Sequence, residues 1–485
     1  MKKKSIALNA ILNGFRSILN VFFPLITFPY VSRVLSVESI GKYNFSSTYV
    51  SYFVLIAELG VGTYAVREGA KYRNKPKILN QFVDEVFTIN VLATIMSYFL
   101  LFSSLIIFAN LRTYLSCILV FSIQIIFTTL GTEWIYNIFE DYAYITFRSI
   151  AFQILSVILL FLCVRQKSDF LIYAAITVLS TVGSNIINFF YARKFCKVKL
   201  VWHFNFKKHI IPILIIFASN IAITIYINSD ITLLGLMKNN YIVGIYSVSS
   251  KIYSIVKSLF SAILVVTIPR LSMFYGQKKY SQYKSLLSDV INSLIIFIVP
   301  AMIGLFMLSK NVILIISGPD FVRSTNSLRI LSFALIFALI GAFLSGCVLI
   351  PIKREKKVLI STVISAILNV VLNIILIPFW DENAAALSTA MAEAMIMILN
   401  LYYAKDVVKN IFISKKFVKS IVDSLLGSIG IIFVCFLTLN GYHSILIQTF
   451  VSVILSVVIY MAILFLRKNE FIMLLLKNLA QRFNS

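Results

Sequence analysis

Five charged residues in this chain stand in apolar surroundings: Arg16, Glu58, Asp230, Lys251 and Lys257. If the surroundings are membrane, hydrocarbon penalises each of them, so each must face water, a ligand or an opposite charge. An arginine presents a planar fork that grips phosphate in a bidentate manner, and a lysine a compact point charge. Three cations against two carboxylates therefore fit a cavity that takes an anion. Internal ion pairs that join neighbouring helices account for the same residues, and the sequence leaves both readings open. Glu58 and Asp230 are candidates for ion coupling or for structural pairs. Glu133 and Glu393 read as partners for a neighbouring helix, and Arg329, close to a helix end, reads as a snorkelling side chain.

The polar neighbours fall into stripes. At about 100° per residue, Ser247, Ser250, Lys251, Ser254, Lys257, Ser258 and Ser261 lie within an arc of about 120° on an otherwise apolar helix. Asn44, Ser47, Thr48, Ser51 and Glu58 form a second stripe, and Asn9, Asn13, Arg16, Ser17, Asn20, Pro24 and Thr27 a third. Ser219, Asn220 and Asp230 lie on a comparable face further on. Four helices thus turn a wet face towards something, and a shared aqueous cavity lined by Asn13, Asn20, Ser47, Ser51, Ser250 and Ser254 is the economical answer. Their hydroxyls and amides suit a ligand rich in hydroxyl groups. Arg67 and Arg270, at the cytoplasmic ends of two of these helices, are gate candidates.

The elements that carry these faces are set by composition. Of 485 residues, 60% are hydrophobic and 13% charged, against roughly 45–50% and 25% in soluble domains. The apolar runs are about 20 residues long, the length that crosses a bilayer as helix. The spacing predicts fourteen spans, near 6–32, 43–66, 83–109, 114–138, 145–164, 170–192, 211–237, 241–268, 285–308, 325–350, 358–379, 383–404, 421–440 and 444–466. The fold class is an all-α polytopic membrane protein. The first run continues without a small-residue cleavage site and reads as an uncleaved span.

The net charge of +25 is not a nucleic-acid footprint, because the cations sit in short loops between apolar runs. On alternate sides, 32 Lys and Arg face 8, which places both termini in the cytoplasm. The five cysteines form no CxxC pair and read as free, apolar-like thiols. The three histidines show no metal-ligand spacing, so no metal and no cofactor is expected. No triad, carboxylate cluster or sizeable soluble segment stands outside the spans, which argues against an enzyme.

One offset organises the rest. Gly41, Tyr43, Ser46, Ser47, Arg67 and Tyr72 match Gly244, Tyr246, Ser249, Ser250, Arg270 and Tyr275. The helices concerned are six spans apart and run in the same direction, so the repeat is parallel, about an axis along the membrane normal. This predicts two pseudo-symmetric six-helix lobes plus two C-terminal helices: residues 1–193, an amphipathic cytoplasmic connector at 194–210 that forms a helix or strap, residues 211–405, and a tail region 406–485.

Four stretches then resemble the Wzx-like lipid-linked oligosaccharide flippases of the multidrug/oligosaccharidyl-lipid/polysaccharide exporter superfamily. They are SRVLSVESIGKYNFSSTYVSYFVLIAELGVGTYAVRE (32–68), EWIYNIFEDYAYITFRS (133–149), ISGPDFVRSTNSLRILSF (316–333) and AILNVVLNIILIPFWDENAAALSTAMAEA (366–394). Departures are Asn137-Ile138 where the family often has Gln-Gly, and Asp381-Glu382-Asn383 where a glycine pair is common. The resemblance implies an undecaprenyl-diphosphate-linked oligosaccharide as substrate, moved by alternating access with H⁺ or Na⁺ coupling. It also implies a bacterial cytoplasmic membrane, surrounding membrane lipids, a polysaccharide polymerase as partner and a capsule, O-antigen or other glycan as product. A lipid II flippase and a multidrug-type antiporter are the alternatives within the superfamily, and a membrane-embedded polymerase is disfavoured.

Overall fold

Glycines, prolines and short polar caps cut the apolar sequence into helices. The computed structural model describes residues 23–439, 444–470 and 473, and no strand occurs among them. A helix over residues 23–34 (α1) leads to α2 (Val37–Glu58), whose first turn is capped by the Ser36 hydroxyl accepting from the Ser39 N–H at 3.2 Å. Leu59 and Gly60 are left-handed (φ 48° and 76°), so the chain breaks direction before α3 (Val61–Gly69). The remaining helices of the first half are α4 (Pro76–Ile107), α5 (Leu115–Gly131), α6 (Glu133–Ile138), α7 (Tyr142–Cys163), α8 (Phe170–Val182), α9 (Asn185–Ala192) and α10 (Phe206–Met237). Pro76 sits at the start of α4, where its missing N–H costs nothing.

The second half holds α11 (Asn240–Gly276), α12 (Tyr280–Ile316) and α13 (Ser324–Ala342), which runs on through a wide π turn over Phe343–Leu349. It ends with α14 (Glu355–Phe412), α15 (Lys415–Thr438) and α16 (Ile445–Leu466). α14 is bent at Asp381 (φ 49°, ψ −128°), three residues after Pro378. Among the described residues, twelve helical stretches are long and apolar enough to cross a membrane. Most of the first expected span lies outside the described residues, and the expected eleventh and twelfth are joined as α14 across the Asp381 bend. The side chains left uncovered fit this reading: Phe99, Ile106, Phe436 and Leu466 are each at least 66% exposed, as lipid-facing residues must be.

By contacts the chain divides into two units, Met1–Gly244 and Ile245–Ser485. The sequence reading opens its second lobe at residue 211, whereas packing groups α10 with the N-terminal helices. Gly235 of α10 leaves room for the Phe45 ring of α2, and a Cβ on Gly60 would lie 2.9 Å from Ile216 of α10. The core of this unit is aromatic, built from Tyr64, Phe82, Phe87, Trp134 and Tyr136. In the C-terminal unit Leu287, Ile291, Leu339, Phe343 and Leu344 fill the centre. α16 is fastened to α12 by the Tyr460 hydroxyl donating to the Ile296 carbonyl at 2.6 Å and by Asn311 donating to Gln448 Oε1 at 2.9 Å.

The connector takes the strap form. Residues 196–205 are not helical, and α10 begins at Phe206, with the Asn205 side chain accepting from the Lys208 N–H at 3.3 Å. Asp84 Oδ1 accepts the Lys199 N–H at 2.8 Å and Thr88 Oγ1 accepts the Val201 N–H at 3.0 Å, so α4 side chains hold the strap by its backbone. Trp202 stays 72% exposed, in keeping with a segment at headgroup level. Burial pushes the Cys196 thiol up to about 11, which keeps it protonated and inert. All five cysteines are free.

Candidate functional site

The repeat carries a reciprocal close contact. A Cβ on Gly41 would lie 1.8 Å from the carbonyl oxygen of Asn240, and one on Gly244 would lie 2.1 Å from that of Val37. Gly41 and Gly244 are equivalent by the 203-residue offset, and so are Val37 and Asn240. Each helix start therefore inserts its glycine against the other's first turn, at a spacing that no side chain allows. Tyr114 adds a hydrogen bond to Asn240 Oδ1 at 2.5 Å.

In the N-terminal unit the polar faces of α2 and α10 meet. Asn228 donates to Ser51 Oγ at 2.9 Å, and the hydroxyls of Tyr52 and Thr232 are 2.9 Å apart. Asp230 is buried beside them, and Ser47 is half-buried. Glu58 is exposed at the last position of α2, within electrostatic reach of Glu133. Arg67 is exposed and pairs with Glu68 at 3.3 Å. Arg16, Asn13 and Asn20 lie outside the described residues.

In the C-terminal unit the α11 stripe separates into two edges. On one edge, Lys257 Nζ donates to Glu393 Oε1 of α14 at 2.5 Å, and the Tyr253 hydroxyl donates to the same oxygen at 3.2 Å. Glu393 is almost fully enclosed while Lys257 is about a third exposed. Tyr246, one face-repeat earlier, reaches Thr389 at 3.4 Å. This edge is a helix–helix seam, as the ion-pair reading of the sequence has it for Lys257 and Glu393. On the other edge Lys251 is half-buried and its ammonium has no partner among the described residues. Between the edges, Ser254 and Ser258 are exposed and donate to the carbonyls of Ser250 and Ser254 at 2.8 and 2.7 Å. With their protons spent on the helix, these hydroxyls present lone pairs outward. Arg270 is exposed, its guanidinium 5.5 Å from the Phe274 ring.

Sequence reasoning missed two polar clusters. His209 is fully buried, with Nε2 2.7 Å from Glu85 Oε2 and Nδ1 2.7 Å from the Tyr64 hydroxyl, and Gln81 donates to Glu85 Oε1 at 2.9 Å. This ties α3, α4 and α10 together near the strap. Glu85 inside a predicted span was the available signal. The second is the fork of Arg323, which donates to both oxygens of Glu382 at 2.7 and 3.0 Å and to Asp381 at 2.9 Å. Hydrogen bonds to the Glu382 carboxylate hold this guanidinium above its ordinary range. The bend in α14 is thereby pinned to the loop before α13. Among the described residues no group of three or more His, Cys, Asp and Glu is placed to hold a metal ion.

This architecture is that of a multi-pass helical membrane protein with the fold of the multidrug/oligosaccharidyl-lipid/polysaccharide exporters. A solved structure described as lipid II flippase MurJ in an inward closed conformation superposes with TM-score 0.73 at 18% identity, covering 94% of this chain and 99% of that one. An inward-facing multidrug resistance MATE family transporter of the MOP superfamily gives 0.63 at 13% identity, covering 84% and 99%. The chain belongs to the family described as polysaccharide biosynthesis protein, which matches over residues 6–275.

Among curated relatives, a probable low-salt glycan biosynthesis flippase, Agl15, of Haloferax volcanii is 26% identical over 265 residues. A putative O-antigen transporter of Escherichia coli K12 is 24% identical over 257 residues. The matches cover 54% and 52% of this chain and 53% and 61% of those two relatives, so the chain spans little more than half of their lengths. A putative O-antigen transporter of Shigella dysenteriae is 23% identical over 414 residues, 83% of this chain and 100% of that protein.

Proposed function

We propose that this chain is a flippase that carries an undecaprenyl-diphosphate-linked oligosaccharide from the cytoplasmic to the outer leaflet of a bacterial cytoplasmic membrane. It is a transporter and not an enzyme. The observation that carries the reading is family membership over residues 6–275, joined to a full-length match with a protein named as an O-antigen transporter. The diphosphate needs cations that are not already neutralised. Lys251 meets that requirement, Lys257 is held by Glu393, and Arg16 is the third candidate. Glu58 and Asp230 are the residues through which H⁺ or Na⁺ coupling acts. Both termini lie in the cytoplasm, and a polysaccharide polymerase receives the product on the far side. The MurJ-like fold supports lipid II as the alternative cargo.

Purified protein in proteoliposomes tests this. Fluorescent undecaprenyl-diphosphate-linked oligosaccharide, lipid II and an organic cation are offered in turn, with and without H⁺ and Na⁺ gradients. Gradient-dependent flipping of the oligosaccharide lipid alone is expected. Lys251→Gln reduces that rate at least tenfold while leaving thermal stability unchanged, because no partner among the described residues loses a bond. Movement of lipid II in preference to the oligosaccharide lipid, or of the organic cation alone, overturns the assignment.

A further inference from the structure

A cleft of about 370 Å³ opens within the C-terminal unit, between α12, α13 and the second half of α14. Its walls are apolar except at one place. Phe306, Phe333, Phe337, Leu387 and Met391 line it, and Arg329 is the charged residue among its lining. The Arg329 Nε is buried and makes no hydrogen bond, and the guanidinium lies 5.6 Å from the Phe306 ring. The residue is half-buried, and its Nη groups stay accessible and make no hydrogen bond among the described residues, so they are open to an acceptor.

Depth along the helices gives the cleft a direction. Arg329 is five residues from the start of α13 at Ser324, about 7.5 Å along the axis at 1.5 Å per residue. Helical side chains tilt towards their own N-terminus, which carries the guanidinium back towards headgroup level. Phe333 and Phe337 follow at i+4 and i+8, one and two turns deeper on the same face. On α14, Leu387, Ala390, Met391 and Ala394 run in parallel below the Asp381 bend that Arg323 pins to the same end. Ala390 and Ala394 supply the open width. The result is a track with a cationic bracket at its mouth and a greasy floor leading inward.

We propose that this cleft is a binding site for an anionic phospholipid, its phosphate held by the Arg329 Nη groups and one acyl chain lying along Phe333 and Phe337. The site is separate from the Lys251 stripe and rests only on the chain being membrane-embedded, not on what it transports. Native mass spectrometry of the full-length protein from micelles doped with phosphatidylglycerol or phosphatidylcholine tests it. Wild-type protein retains one phosphatidylglycerol against at least tenfold excess phosphatidylcholine. Arg329→Gln abolishes that preference, and Ala394→Phe, which fills the track, removes retention of both lipids. Thermal unfolding of the same variants shows that the fold survives. Equal retention by wild type and Arg329→Gln overturns the proposal. So does displacement of the bound lipid by undecaprenyl phosphate at a ratio where phosphatidylglycerol fails, since the occupant is then the carrier.

Discussion

Replacing Gly244 by alanine tests the reciprocal contact directly. The new methyl carbon would sit 2.1 Å from the Val37 carbonyl oxygen, and the neighbour is backbone, which has no rotamer to yield. Ordinary contact begins near 3.4 Å, so the starts of α2 and α11 must part by about 1–1.5 Å or abandon the packing. Overpacking of this kind costs roughly 1–3 kcal/mol, which is about a 5–150-fold shift of the equilibrium away from the packed arrangement. Gly41→Ala, at 1.8 Å from the Asn240 oxygen, has the same effect. Hydrogen–deuterium exchange of peptides covering 37–45 and 240–248 reads the change without reference to transport. Both variants should accelerate exchange in both peptides by a factor within that range. Because the two methyls break one shared contact, the double variant should cost less than the sum of the singles. Wild-type exchange in both peptides of either variant refutes the argument.

Two further variants probe the polar seams. Lys257→Ala strands the enclosed Glu393 carboxylate, costing about 2–4 kcal/mol; thermal unfolding should show a lowered midpoint that Glu393→Gln in the same chain largely restores. His209→Phe leaves Glu85 and Tyr64 without their shared partner, again about 2–4 kcal/mol, and limited proteolysis should cut the 196–205 strap faster than in wild type.

The membrane-spanning class was legible because it is written in composition and run length, which no tertiary contact overrides. The pairing of Gly41 with Gly244 was legible as a sequence match, and the two glycines do serve one packing purpose twice. The roles of the buried charges were not. Lys251 and Lys257 are six residues apart on one stripe, and only the position of α14 decides that Lys257 meets Glu393 while Lys251 meets no partner among the described residues. Helical periodicity gives a side chain's azimuth and not its neighbour. The same limit hid His209, whose partners come from helices more than a hundred residues earlier in the chain. The grouping of α10 with the first unit also escaped, since loop charge marks the connector but not the surface on which the next helix settles.

The strap between α9 and α10 is gripped through main-chain N–H groups at Lys199 and Val201, with Asp84 and Thr88 as the receiving side chains. A hold of that kind is indifferent to what side chains the gripped segment carries. Positions 199 and 201 should accept almost any residue in a saturation library except proline, which has no N–H to offer, while Asp84 and Thr88 should tolerate very few. The strap is thus free to drift in charge and bulk, and to be retuned for different lipid surfaces, without loosening the scaffold beneath it.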